Sequence, residues 1–311
     1  MVGLTPQQQP RYLPEFALLA ATTAYGSTFV LVQDTLDRVT PVGYILLRFA
    51  VGTIVLAPFA FARGWRRPSV PASTRSFVVA SLAFGVVAFV GYWMQNLGIQ
   101  RTTTSQAAFI TGLFVVFTPL IEMVVTKKAP PRNVVVAVVV STIGLFLLTG
   151  ADLTVHSGDL FELGCAFTFG IWIYLGGVFS PRFDPITLTA VQLAIVALLA
   201  VPATMLGGLG HIDTQVVVTV LVTGILCSAV GFAIQLWGQR FVEPSRAAVI
   251  LLFEPVIAGF VGYAVGERLG VSGYVGALTI LTGILIAESV TWRSAPSGQL
   301  TERSSTAENA P

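Results

Sequence analysis

The chain has 311 residues, 54% of them hydrophobic and 10% charged, with a mean hydropathy of +0.81. No soluble globular domain of this length has that composition. The net charge of +2, with basic residues scattered through short connecting stretches, gives no nucleic-acid footprint.

A helix needs about 20 apolar residues to cross the hydrocarbon core. Ten stretches qualify: 14–32, 42–62, 76–98, 104–125, 132–150, 160–179, 186–207, 215–238, 246–265 and 271–290. Turn or charge signals separate them, and continuous helices are expected because backbone in lipid must satisfy its own hydrogen bonds.

The first span follows Arg11 and holds small residues, as a signal peptide would, but its repeat partner near Gly170 is internal, so it is read as a retained helix. It presents Tyr25 and Ser27, with Glu15 at its mouth. The second carries Arg48 at mid-span. The third carries Tyr92, Trp93, Gln95 and Asn96, with Gly91 and Gly98. The fourth has Glu122 after Pro119, where a solvated interfacial role is expected. The sixth holds Trp172, Tyr174 and Cys165, the seventh Gln192, and the eighth Cys227, Gln235 and Trp237. The two thiols read as small packing residues rather than a disulfide. The ninth has Glu254 before Pro255 and a GxxxG pair, Gly262 and Gly266, which reads as close packing within the bundle. Residues 1–13 and 291–311 are polar and expected to be flexible cytoplasmic tails.

The sequence repeats itself. A shift of 140 places Gly91, Gln95, Gly98, Ser105, Ala107, Ala108 and Ile110 on Gly231, Gln235, Gly238, Ser245, Ala247, Ala248 and Ile250, and a shift of 144 places Gly26, Pro41 and Pro58 on Gly170, Pro185 and Pro202. Two units follow, 14–150 and 158–290. With five crossings each, they point in opposite directions, the mark of a secondary transporter. With the N-terminus inside, the inner segments hold 13 Lys and Arg and the outer loops 3, so both termini are expected in the cytoplasm.

AYGSTFV at 24–30, the Arg of YILLRFA at 44–50, QNLGIQRTTTSQAAFITGLFVVFTPL at 95–120 and LLFEPVIAGFVGYAVGERLG at 251–270 resemble the ten-helix EamA-type branch of the drug/metabolite transporter superfamily. The likeness covers about 14 to 290. The first unit departs from it, having Thr126-Lys127-Lys128 where the second has Gly266-Glu267-Arg268. The resemblance implies a carrier for small organic solutes, with a central pathway between the repeats.

Polar and aromatic groups within spans make Tyr25, Arg48, Trp93, Gln95, Asn96, Trp172 and Gln235 the candidate substrate-binding residues. Interfacial anchoring is the other reading of the Trp and Tyr side chains. Arg48 meets either a substrate anion or a structural partner; its repeat mate is the neutral Gln192. Glu254 is either a proton-coupling group or a support for the helix break at Pro255. The latter is expected, by accepting from nearby donors or pairing with a cation such as Arg48.

No span contains Asp or His, so an intramembrane enzyme or a metal site is not expected, and no cofactor is called for. The expected activity is export of a small organic metabolite or drug across the plasma membrane by alternating access. The alternative is a flippase for a lipid or a polyprenyl-linked sugar. Expected partners are a small-molecule substrate and membrane lipid, with no nucleic acid, and the protein is a monomer or homodimer.

Overall fold

The computed structural model describes residues 12–63, 74–102, 104–150, 156–264 and 270–293. Arg11, the Gly266-Glu267-Arg268 motif and most of the polar tails lie outside them. Among the described residues the only strand-like pairing is one antiparallel bridge, Val39 with Gly210.

The first span is α1 (Leu13–Ser27) and α2 (Phe29–Leu36); the second, α3 (Pro41–Ala62); the third, α4 (Thr74–Ile99). The fourth is α5 (Thr104–Gly112) and α6 (Phe114–Thr126), the fifth α7 (Arg132–Thr149), the sixth α8 (Asp159–Phe179) and the seventh α9 (Pro185–Gly207). The eighth is α10 (Thr214–Val222), a π-helical segment (Thr223–Gly231) and α11 (Phe232–Gly238). The ninth is α12 (Pro244–Leu251) and α13 (Glu254–Ala264), and the tenth α14 (Val271–Arg293). The protein is an all-α membrane protein of ten transmembrane helices in two inverted five-helix repeats. Among the described residues nine spans are unbroken or long enough to qualify by length and hydropathy alone. The first span divides at Thr28, whose hydroxyl donates to Tyr25 O at 3.0 Å, a back-bond that bends helices.

Local chemistry sets the helix starts. Thr40 Oγ1 accepts from Gly43 N at 3.1 Å, and Pro41 follows as the first helical residue of α3. Its repeat counterpart, Asp184, accepts from Thr187 N at 2.9 Å before Pro185 opens α9. Both are an oxygen cap with proline at the next position, where a missing N–H costs nothing.

Repeat mates pack on one another, α3 on α9 and α7 on α14, as expected of an axis running between the repeats. The α7–α14 crossing is very close: a methyl on Gly144 would come within 2.7 Å of Ile280 N. In lipid such contact supplies packing energy that water cannot.

Besides the first, three further spans are irregular near the bundle centre. The fourth and ninth break at Leu113 and at Leu252-Phe253, positions that the 140-residue shift superimposes. The π segment of the eighth has no counterpart in the third, where α4 runs unbroken. Irregular backbone at membrane depth is tolerated where it lines a cavity or is buried in protein.

Candidate functional site

A cavity of about 450 Å³ lies among these irregular segments. Its wall includes Tyr25 of α1 and Thr28 just past its end, Arg48 of α3, Tyr92 and Gln95 of α4, Thr111 of α5, Phe169 of α8, Cys227 of the π segment and Glu254 of α13. Both repeats therefore contribute.

Arg48 is its buried cation, 8% exposed. Nε donates to Ser228 Oγ at 2.8 Å, and the guanidinium carbon lies 5.2 Å from the Tyr92 ring centroid and 5.5 Å from that of Phe49. The π segment makes this possible: it turns Thr223 toward Tyr44, whose hydroxyl lies 3.1 Å from Thr223 Oγ1, and Cys227 toward Thr28 at 3.2 Å. Such bulges recur at functional sites. Rings close the wall, with Tyr92 meeting Phe49 and Phe169 edge-on, each at 5.0 Å.

Glu254 opens α13 immediately after the break and also lines the cavity. The expected Arg48–Glu254 ion pair is not formed; among the described residues neither group has a salt bridge, and the Glu254 carboxylate accepts no hydrogen bond. Pro255 suffices for the break, since it removes a donor and crowds the preceding turn, which leaves the carboxylate facing the cavity.

The other candidates are distributed as follows. Tyr25 and Gln95 line the cavity. Gln235 stands directly behind the wall, 2% exposed, its Oε1 accepting from Tyr25 Oη at 2.9 Å. Gln95 and Gln235 are repeat mates, yet only Gln95 reaches the lining. Trp93 is 42% exposed, stacks on Phe89 at 6.3 Å and is not in the lining. Asn96 is buried and donates to Pro41 O at 3.1 Å, tying the third span to the start of the second. Trp172 is buried against Phe84, their rings stacked at 5.5 Å.

The cavity is one-sided. Its lining runs out through Gln33, Ile99, Gly150, Gly270 and Ser272, all at span ends opposite the chain termini. The terminal end is shut. Arg246 pairs with Glu15 at 3.5 Å and, more closely, with Glu288, joining the ninth, first and tenth spans. Glu122, instead of lying free at the interface, accepts from Ser245 N at 3.2 Å and from Ser245 Oγ, joining the fourth span to the ninth.

Sequence reasoning missed Thr111, Cys227 and Glu162. Thr111 and Cys227 look like packing residues in any apolar span. Glu162 was legible, an acid three residues into the sixth span; an ionisable group at membrane depth warrants a functional reading by default.

Comparison with known proteins agrees with this architecture. The sequence profile of the EamA-like transporter family matches residues 13–150 and 156–288. A protein of Archaeoglobus fulgidus described as an uncharacterized transporter is 30% identical over 278 residues, which is 89% of this chain and 86% of that one. The uncharacterized transporter YyaM of Bacillus subtilis is 22% identical over 289 residues, 88% of this chain and 92% of its own. A crystal structure at 16% identity superimposes with a TM-score of 0.75, over 91% of this chain and 100% of that one, and so has the same fold.

Proposed function

Because the chain belongs to the EamA-like transporter family, we propose that it is a secondary transporter that exports a small organic solute across the plasma membrane by alternating access between its two repeats. The observation that carries this reading is the pairing of Arg48 and Glu254 in one cavity, each without an ion-pair partner among the described residues. A fixed cation and a fixed carboxylate in one aromatic-walled space suit a solute that bears both an acidic and a basic group, with an apolar part lying against Tyr92 and Phe169. Buried charges are otherwise costly and require partners, and such a solute supplies both.

With the termini cytoplasmic, as the positive-inside bias favours, this conformation faces outward. The Arg246–Glu15–Glu288 cluster and the Glu122–Ser245 contact then form the inner gate, and alternation separates them while the open end closes.

The test is uptake and efflux by purified protein in liposomes of zwitterionic, anionic, cationic and neutral small solutes, with a fluorescent phospholipid scrambling assay beside it. Saturable movement of zwitterions, diminished in Arg48→Ala and in Glu254→Gln, supports the reading. Lipid scrambling without solute movement would replace it with the flippase.

A further inference from the structure

Glu162 has no part in the cavity wall, yet among the described residues it is the one acid that is buried outright, at 0% exposure. It stands one turn into α8. Oε2 accepts from Thr111 Oγ1 of α5, and Oε1 has no partner. The facing residue of α4 is Gly98, where a methyl would come within 2.7 Å of the Glu162 carboxyl carbon. The carboxyl thus fills a slot formed by α4, α5 and α8.

No described cation neutralises it. Asp159, one turn earlier, is an acid itself and accepts from Thr102 Oγ1 at 2.7 Å and His156 N at 2.8 Å, with the His156 ring 3.9 Å away. Cys165, on the next turn, is a free buried thiol. Arg101, at the end of the third span, lies over the Phe161 ring at 5.2 Å and donates to Leu97 O at 3.3 Å. The described part of α5 has no charged residue. Glu122 and Arg246, on α6 and α12, belong to the closed end, where they are engaged with Ser245, Glu15 and Glu288; Arg75 and Tyr92 of α4 lie in its first turn and on the cavity wall. A carboxylate enclosed in this way has no water and no counter-charge, whereas the neutral acid needs neither.

We propose that Glu162 is a proton-binding site. It holds a proton in this conformation and gives it up when α5 draws away from α8 and water reaches the slot. The proton comes from water and returns to water, and no other group is consumed. The consequence for transport rests on the carrier reading: α5 supplies Ala107, Ala108, Thr111 and Gly112 to the cavity wall, so the charge state of Glu162 is linked to the position of that wall. Glu254, by contrast, faces the cavity directly without any such movement.

The test needs no substrate, so it fails or succeeds independently of the carrier reading. Backbone hydrogen exchange of residues 104–112 is measured against pH in lipid nanodiscs, corrected for the intrinsic pH dependence of exchange. In the parent, the opening equilibrium of this segment should rise with pH by up to tenfold per pH unit, the slope for one linked proton. In Glu162→Gln, which cannot ionise, it should stay at the low-pH value throughout. Because that variant can fold poorly, the parent alone supplies a second readout: the infrared carbonyl band of a protonated carboxyl group should disappear over the pH range in which 104–112 loses protection. A parent segment indifferent to pH, an unchanged pH response in Glu162→Gln, or a band whose loss does not coincide with that of protection would overturn the proposal.

Discussion

Arg48 shows how one side chain is held ready by structure far from it in sequence. It owes its orientation to Ser228, which is 180 residues away and is turned toward it by the π segment. Arg48→Ala removes a charge-assisted hydrogen bond to a hydroxyl, worth about 1.5–3 kcal/mol, together with the contacts on the Tyr92 and Phe49 rings, and should leave a folded protein. Binding of a solute with an acidic group should weaken by roughly tenfold to a hundredfold on the same scale. Calorimetric titration of the purified variant reads the binding, and its thermal transition reads the fold; unchanged affinity with an unchanged transition refutes the role. At the open end, Asp213 caps α10 by accepting from Val216 N at 2.9 Å and receives a hydrogen bond from Arg38. The capping N–H, and then Arg38, hold its carboxyl below the usual carboxylate range. A depressed folded-state value means that the stabilisation is full above the ordinary carboxylate value and is lost as pH falls through the folded one. The difference in thermal stability between the parent and Asp213→Ala should therefore be constant near neutrality and shrink at acid pH. A difference that grows on acidification would reverse the assignment.

Breaks and crossings act at the level of whole helices. The discontinuities at Leu113 and Phe253 coincide under the repeat shift, so they belong to the duplicated unit. The π segment and the break at Thr28 occur on one side only and give the cavity its asymmetry. Closure at the terminal end rests on α12, which begins at Pro244 and presents Ser245 and Arg246 to three other spans. Arg246→Ala should shift the population toward a conformer open at that end by a few-fold to about tenfold, since partly exposed ion pairs contribute about 0.2–1 kcal/mol each. A cysteine placed at the buried Ala248, two residues further into α12, should then react faster with a thiol reagent applied from the terminal side. Lower thermal stability with no gain in reactivity would make the cluster a staple and not a gate. The α7–α14 crossing makes a different claim. Gly276 lies so near Leu148 and Gly144 that no side chain fits without displacing backbone. Gly276→Leu should cost about 1–3 kcal/mol or more by overpacking, seen as a lower melting temperature and poorer folded yield. A normal melt would show that the two spans can part freely.

The molecule as a whole divides by direction. Five crossings per repeat invert the second relative to the first, and the resulting bundle is open at one end and tied at the other. The distribution of Lys and Arg, 13 against 3, is the ground on which the terminal end is proposed to face the cytoplasm. In a background with Cys165 and Cys227 replaced by alanine, an impermeant thiol reagent applied to whole cells should label Ser157→Cys and spare Ala129→Cys. The opposite pattern would turn the cavity toward the cytoplasm and reverse the proposed direction of transport.

Long-period features were legible in the chain itself. Ten apolar stretches, a repeat at shifts of 140 and 144 and the bias in Lys and Arg follow from the bilayer's thickness, its demand for internally bonded backbone and the rules of insertion, which act on composition over many residues. Pro41 and Pro185 stand at helix starts, where capping is a local matter. Which polar residues face the cavity was decided only by the packed bundle. Trp93, Asn96, Gln95 and Tyr92 lie within five residues of one another on α4, and the helix turns them three different ways: Trp93 outward, Asn96 onto Pro41, and Tyr92 and Gln95 into the cavity. Pattern in one helix gives the spacing of such residues but not the neighbour each one meets. The Arg48–Ser228 bond, the Glu122–Ser245 contact and the enclosure of Glu162 between Gly98 and Thr111 arise when spans distant in sequence are brought together, and the energetic meaning of a polar group in lipid is set by what stands beside it.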